Sequence, residues 1–188
     1  MKIDINRIRY KWIIHVTFIT FIFSFLLNSV SESLLGNMGL AFGFLLLLVI
    51  VLTGIIFDII GIAVASASRK PFNSMASRKI KGAKEALELI NHAGPVSNFC
   101  NDVIGDIAGI ISGSTIAVLI LKIASFNTLF NTSILSVVLI SSTASLTVGG
   151  KAFGKEIAIY QSKEIVLKVG RIICFFNEKL TFKRKRPK

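Results

Sequence analysis

MGLAFGFLLLLVIVLTGIIFDIIGIAVASA, residues 38–67, carries a single charged side chain, Asp58. About 20 apolar residues suffice to cross roughly 30 Å of hydrocarbon, and a water-soluble helix of this length would show a polar face. This stretch shows none, so its solvent is lipid. Three more runs behave alike: Trp12–Val30 has no formal charge, Phe99–Leu121 holds Asp102 and Asp106, and Asn127–Gly150 has none. Only 17% of the 188 residues are charged and 53% are hydrophobic, whereas soluble domains are roughly 25% charged. The expected fold is all-α, an integral membrane bundle of four transmembrane helices.

The net charge of +12 is distributed to one side of these spans. Lys2, Arg7, Arg9 and Lys11 precede the first run. Arg69, Lys70, Arg78, Lys79, Lys81 and Lys84 lie between the second and third, and eleven basic residues follow from Lys151 onward. Lys122 alone falls on the opposite side. This is the positive-inside pattern; it places both termini in the cytoplasm of a multi-pass cell-membrane protein. The tail KRKRPK is then expected to meet anionic lipid headgroups, and no nucleic-acid partner is expected. Trp12–Val30 also has the basic flank and small-residue end of a signal peptide. Its apolar core is long for one, and the orientation of the other runs is the same either way.

Two segments outside the runs have helical apolar spacing. In residues 71–92, Phe72, Ala76, Ile80, Ala83, Leu87 and Ile90 form a stripe, with Pro71 suited to a first helical turn. In residues 161–188, Ile165, Val169, Ile172, Ile173, Phe176 and Leu180 form another. The first is expected as a basic amphipathic juxtamembrane helix, the second as a C-terminal cytoplasmic amphipathic helix followed by the basic tail. Cys100 and Cys174, like His15 and His92, are isolated, which points to neither a disulfide framework nor a transition-metal site. No phosphate-binding loop, dinucleotide fingerprint or nucleophile elbow is present, so an enzyme is not expected and no cofactor is implied.

The polar groups within the runs carry the functional question. Asp58 lies eleven residues before Arg69, and Asp106 eleven residues after Pro95. Both are therefore roughly 16 Å from the cytoplasmic boundary at about 1.5 Å per residue, and could face one another between helices. Gly54, Asp58, Gly61 and Ala65 share a helical face, as do Asn98, Asp102, Gly105, Gly109 and Gly113, with Asp106 and Ser112 beside them. Ser142, Ser145 and Gly149 share another. Small residues let helices approach, so these faces are expected inside the bundle. An intramembrane carboxylate is costly and marks function by default. Four roles fit: a protonated structural donor, an ion pair with Lys151, a proton relay, or coordination of a hard cation. For the last, Asp58, Asn101, Asp102, Asp106 and Ser112 supply the oxygen ligands that Mg²⁺ requires.

The order of these features resembles the CNNM/CorC (CorB) magnesium transporters. FDIIGIA (57–63), SRKIKGAKEALELI (77–90), CNDVIGD (100–106) and GGKAFGK (149–155) lie where that family has a small-polar motif, a juxtamembrane helix, a Gly-Asn span and a closing motif. Asp58 replaces the family's Ser, and Gly61 stands at its Glu. The family's Asn is Asn101 or, in the alternative placement, becomes Asp106. Lys151 replaces the Glu of the last motif, while its Lys is kept as Lys155. The resemblance implies a homodimer with Mg²⁺ as substrate, and three segments. Residues 1–37 form a cytoplasmic start and added span, 38–160 a membrane domain with its juxtamembrane helix at 71–92, and 161–188 a cytoplasmic helix and tail.

Two functions follow. In one, the chain is a small divalent-cation transporter or exporter that uses Asp58 and Asp106 as ligands, with Lys151 and Lys155 as charge partners. In the other, it is a membrane regulator or assembly subunit that transports nothing, and its buried Asp and Lys groups fix helix packing.

Overall fold

The structure is a computed structural model that describes residues 10–37, 39–126 and 131–184. Every regular element among them is helical: α1 (Tyr10–Asn37), α2 (Leu40–Ser66), α3 (Arg69–Ser77), α4 (Ala83–Asn91) and α5 (Ala93–Asn98). A π-helical turn (Phe99–Ile104) leads into α6 (Gly105–Phe126), then α7 (Thr132–Tyr160) and α8 (Ser162–Arg184). Among the described residues, three helical segments are long and apolar enough to cross a membrane: Leu40–Ser66, Ala93–Ser125 and Thr132–Tyr160. This is a membrane protein. The first expected span falls within α1, whose apolar stretch, Thr17–Val30, is shorter than the other three. The N-terminal residues 1–9, the start of the last run at 127–130 and the tail residues 185–188 lie outside the described residues.

The chain divides into two compact units. The first comprises Met1–Val51 and Asp106–Ser142. In it the Asn28 amide of α1 donates to the Ser24 carbonyl at 3.0 Å, and the Ser114 hydroxyl of α6 donates to Asn28 Oδ1 at 2.6 Å. A polar bond between helices holds best where water is scarce, so this pair ties α1 to α6. Leu47, Val51, Ile107, Ile111, Ile116 and Leu119 are buried here.

The second unit comprises Leu52–Gly105 and Thr143–Lys188. Ala63, Val64, Phe72, Ala86, Ile90, Ala158 and Val166 form its core. The juxtamembrane segment expected as one helix over 71–92 is two helices joined by a turn at 78–82. α3 closes on a paired-bond stop: the Ile80 N–H reaches the Met75 carbonyl and the Lys79 N–H the Ala76 carbonyl, both at 3.0 Å. That geometry requires a left-handed residue just past the helix, and Lys79 supplies it at φ 56°. Gly82, at φ 80°, then opens α4. Ile80 is thereby taken out of the apolar stripe and left exposed.

The C-terminal stripe is also redistributed. α8 packs on α4 through Val166 and Gly170, neither of them in the expected stripe, and Phe176 of that stripe is exposed. A Cβ at Gly170 would overlap the Gly82 carbonyl oxygen and come within 2.9 Å of the Ala86 Cβ. The contact is therefore backbone to backbone. At the rim, Lys81 Nζ donates to Glu178 Oε2 at 2.8 Å. That bond raises the lysine above its ordinary value and lowers the carboxyl below its own. Replacing Gly170 by leucine is expected to lift α8 from α4. Overpacking of this kind costs about 2 kcal/mol, read as a lowered thermal midpoint and faster proteolysis between α7 and α8. An unchanged cleavage pattern would show that the helices do not depend on this close approach.

Candidate functional site

The second unit assembles one intramembrane site from three helical segments. On α7, Gly150 and Gly154 are one turn apart and form two notches. Ile55 of α2 fills the first, with its Cδ1 at the place a Gly150 Cβ would occupy. Ile59, one turn further along α2, fills the second, 2.6 Å from the position of a Gly154 Cβ. This is the small-xxx-small packing that lets membrane helices approach without a hydrophobic driving force between them.

Asp58 and Lys151 lie in the seam so formed. Lys151 Nζ is 3.7 Å from Asp58 Oδ1, and the two side chains are 31% and 14% exposed respectively. A charge-assisted hydrogen bond spans about 2.7–2.9 Å. The pair is thus close enough for strong attraction in a medium of low dielectric, but loose enough to lack a direct bond. Lys151 also passes over Gly105, whose absent Cβ would stand 3.3 Å from the ammonium. A glycine there gives the cation room.

The third segment is the π-helical turn Phe99–Ile104. Such turns insert one residue into a helix and recur at functional sites. Here the turn places Asn101 against Gly61 of α2: a Cβ on Gly61 would overlap Asn101 Oδ1. The Asn101 amide donates to Ser97 Oγ at 3.3 Å. Its Oδ1 is buried and accepts no hydrogen bond from any described residue. A buried amide oxygen left unpaired carries a substantial desolvation cost, and cysteine and glycine flank it rather than a donor.

The remaining expected site residues are placed differently. Asp102 is exposed, next along the turn from Asn101. Asp106 is exposed in the first turn of α6, and it belongs with Ser112 to the first unit, while Asp58, Asn101, Asp102, Lys151 and Lys155 belong to the second. Ser112 is buried and its hydroxyl donates to the Ala108 carbonyl at 2.8 Å, a bond within its own helix. Lys155 is exposed. Among the described residues no three His, Cys, Asp or Glu side chains gather as a metal-binding group. Mg²⁺ is commonly held by only one or two carboxylates with water and other oxygens, so any such ion here would use amide, carbonyl or water oxygens as well.

Sequence reasoning missed the seam itself. Gly149, Ser142 and Ser145 are exposed, and the packing residues of α7 are Gly150 and Gly154. The signal was present as GKAFG (150–154), a G-x-x-x-G spacing one residue out of phase with the serine face. Gly109 and Gly113 are exposed and meet nothing within contact distance, so the long small-residue face of α6 is not used as a whole.

No family model, curated protein or solved structure matches this chain. The likeness to the CNNM/CorC transporters rests on the order and spacing of the four quoted motifs.

Proposed function

We propose that this protein is a small multi-pass transporter or exporter of a divalent cation of the Mg²⁺ type, built as a membrane domain resembling that of the CNNM/CorC family. One observation carries the reading: Asp58 is enclosed in a glycine-lined seam with its counter-charge 3.7 Å away rather than bonded to it. A lysine so placed neutralises the carboxylate in the absence of substrate and can withdraw when a cation arrives. Asn101 Oδ1 supplies a buried oxygen with lone pairs free for a hard ion. The four-span arrangement includes α1, held by the Asn28–Ser114 bond. It places both termini in the cytoplasm by the positive-inside rule, and the family likeness implies a homodimer.

The test is Mg²⁺ flux into proteoliposomes under an imposed gradient. Asp58→Asn is expected to reduce flux at least about tenfold, since even groups outside the first coordination sphere change metal affinity by roughly 10–100-fold. Flux unchanged in the folded variant would remove Asp58 from the pathway. Absence of flux in the folded wild type, with or without a pH gradient, would reject transport.

The second reading is a regulator or assembly subunit in which the same pair fixes helix packing. The pairing of Asp58 with Lys151 is the observation that favours it. It requires Asp58→Asn to lower the thermal midpoint and Mg²⁺ to raise it in neither form.

A further inference from the structure

α8 carries two apolar faces about 130° apart, and of these the described fold buries the one holding Val166 and Gly170. At 100° per residue, Val166, Gly170 and Ile173 point to one side, and Val166 and Gly170 are buried there. Ile172, Phe175 and Phe176 point to the other and are 56%, 48% and 58% exposed. Lys168 and Lys179 are interleaved with them and exposed, as is Glu164, while the stem of Arg171 lies against Gly82 at the α4 contact. Lys179 Nζ sits 4.5 Å from the centre of the Phe175 ring.

We infer that this outer face of α8 is a docking surface for an anionic lipid bilayer, with Ile172, Phe175 and Phe176 entering the headgroup boundary and Lys168 and Lys179 meeting lipid phosphates. The composition is that of helices lying in the interface plane, where aromatic and aliphatic side chains are buried just below the headgroups and cations surround them. Charge complementarity selects the occupant. A second copy of the same face would bring more like than unlike charges together across the contact, because Lys168 and Lys179 outnumber Glu164 there. An anionic membrane meets both kinds of group at once. The sequence continues in the same sense, since FKRKRPK (182–188) adds five cations beyond the face. The protein already has three helices fit to cross that membrane, and α8 follows the last of them after the single residue Gln161. This inference requires a membrane protein but is independent of whether it moves an ion.

The test uses the full chain in nanodiscs of phosphatidylcholine alone or with about a third phosphatidylglycerol, which restores a negative surface. Trp12 is the only tryptophan, so Trp12→Phe with Phe176→Trp gives a single reporter, and Phe175→Trp is the substitute if that variant misfolds. Lipids brominated in the upper acyl chain are expected to quench this tryptophan at least about twofold more in the anionic discs than in the neutral ones. Lys168→Glu combined with Lys179→Glu is expected to abolish the difference. No quenching in either composition would overturn the inference, as would equal quenching in both. Disulfide cross-linking of Ile172→Cys copies in place of quenching would assign the face to a second protomer and likewise overturn it.

Discussion

Gly61→Leu is expected to be among the most damaging single substitutions in the membrane segments, lowering stability by about 3 kcal/mol, at the upper end for overpacked sites. Gly61 is buried, and the place of its Cβ is already taken by Asn101 Oδ1, with Asn101 Cγ 2.9 Å and Cys100 Cβ 3.0 Å away. The obstructing atoms are side-chain atoms of two adjacent residues in the π-helical turn. Asn101 is held in the π-helical turn and tied to Ser97, so it cannot simply rotate aside. Thermal unfolding in detergent measures the loss. The cause is tested by Gly61→Ala alone and with Asn101→Ala. The single change should destabilise, and the pair should recover most of the deficit, because removing the amide empties the space and also removes the unpaired buried oxygen. Equal stability of the single and double variants would mean that Asn101 does not occupy the notch.

Lys151→Ala is expected to cost up to about 3 kcal/mol, because deleting one member of a half-buried pair leaves the Asp58 charge uncompensated. Lys151 is 31% exposed, which places the effect at the lower end of the range for such pairs. Asp58→Asn with Lys151→Met should restore near-wild-type stability, since an apolar replacement of an ion pair is often neutral or better. Flux then separates the two proposed functions. A stable double variant without Mg²⁺ flux, against a wild type that conducts, ties the charges to transport. A wild type without flux whose stability depends on the pair leaves the charges a packing role. If Lys151→Ala alone unfolds no earlier than the wild type, the pair contributes nothing to packing.

The lipid solvent, the helical class and three of the spans were legible in sequence because hydropathy integrates over twenty residues and tolerates local error. Lys151 could be named as one possible partner of Asp58 because it lies at the end of the fourth run, whereas matching depth set Asp58 with Asp106, which belongs to the other unit. What resisted reading were features set by single residues in unusual roles. Lys79 ends α3 in the left-handed region, a position usually given to glycine, so the stop itself carried no mark, and only Gly82, three residues on, signalled a break within 71–92. The π-helical turn arises from one extra residue in an otherwise continuous helix and has no compositional mark; it decides that Asn101 is partly buried and Asp102 exposed. Likewise, two overlapping small-residue patterns coexist in α7, and only packing reveals that the one at 150 and 154 is occupied.

The Ile55–Gly150 and Ile59–Gly154 contacts also limit how α2 and α7 can move past each other. Knobs and sockets both repeat at one helical turn, about 5.4 Å. A slide of one turn drops one knob into the neighbouring socket, whereas half a turn leaves isoleucine side chains against helix backbone. The seam therefore works as a detent: registers are separated by whole clicks, and the intermediate positions are steric barriers. Asp58 and Lys151 ride on these same helices, so a click would separate them by a full turn. Their association is in that sense digital, either aligned or a turn apart.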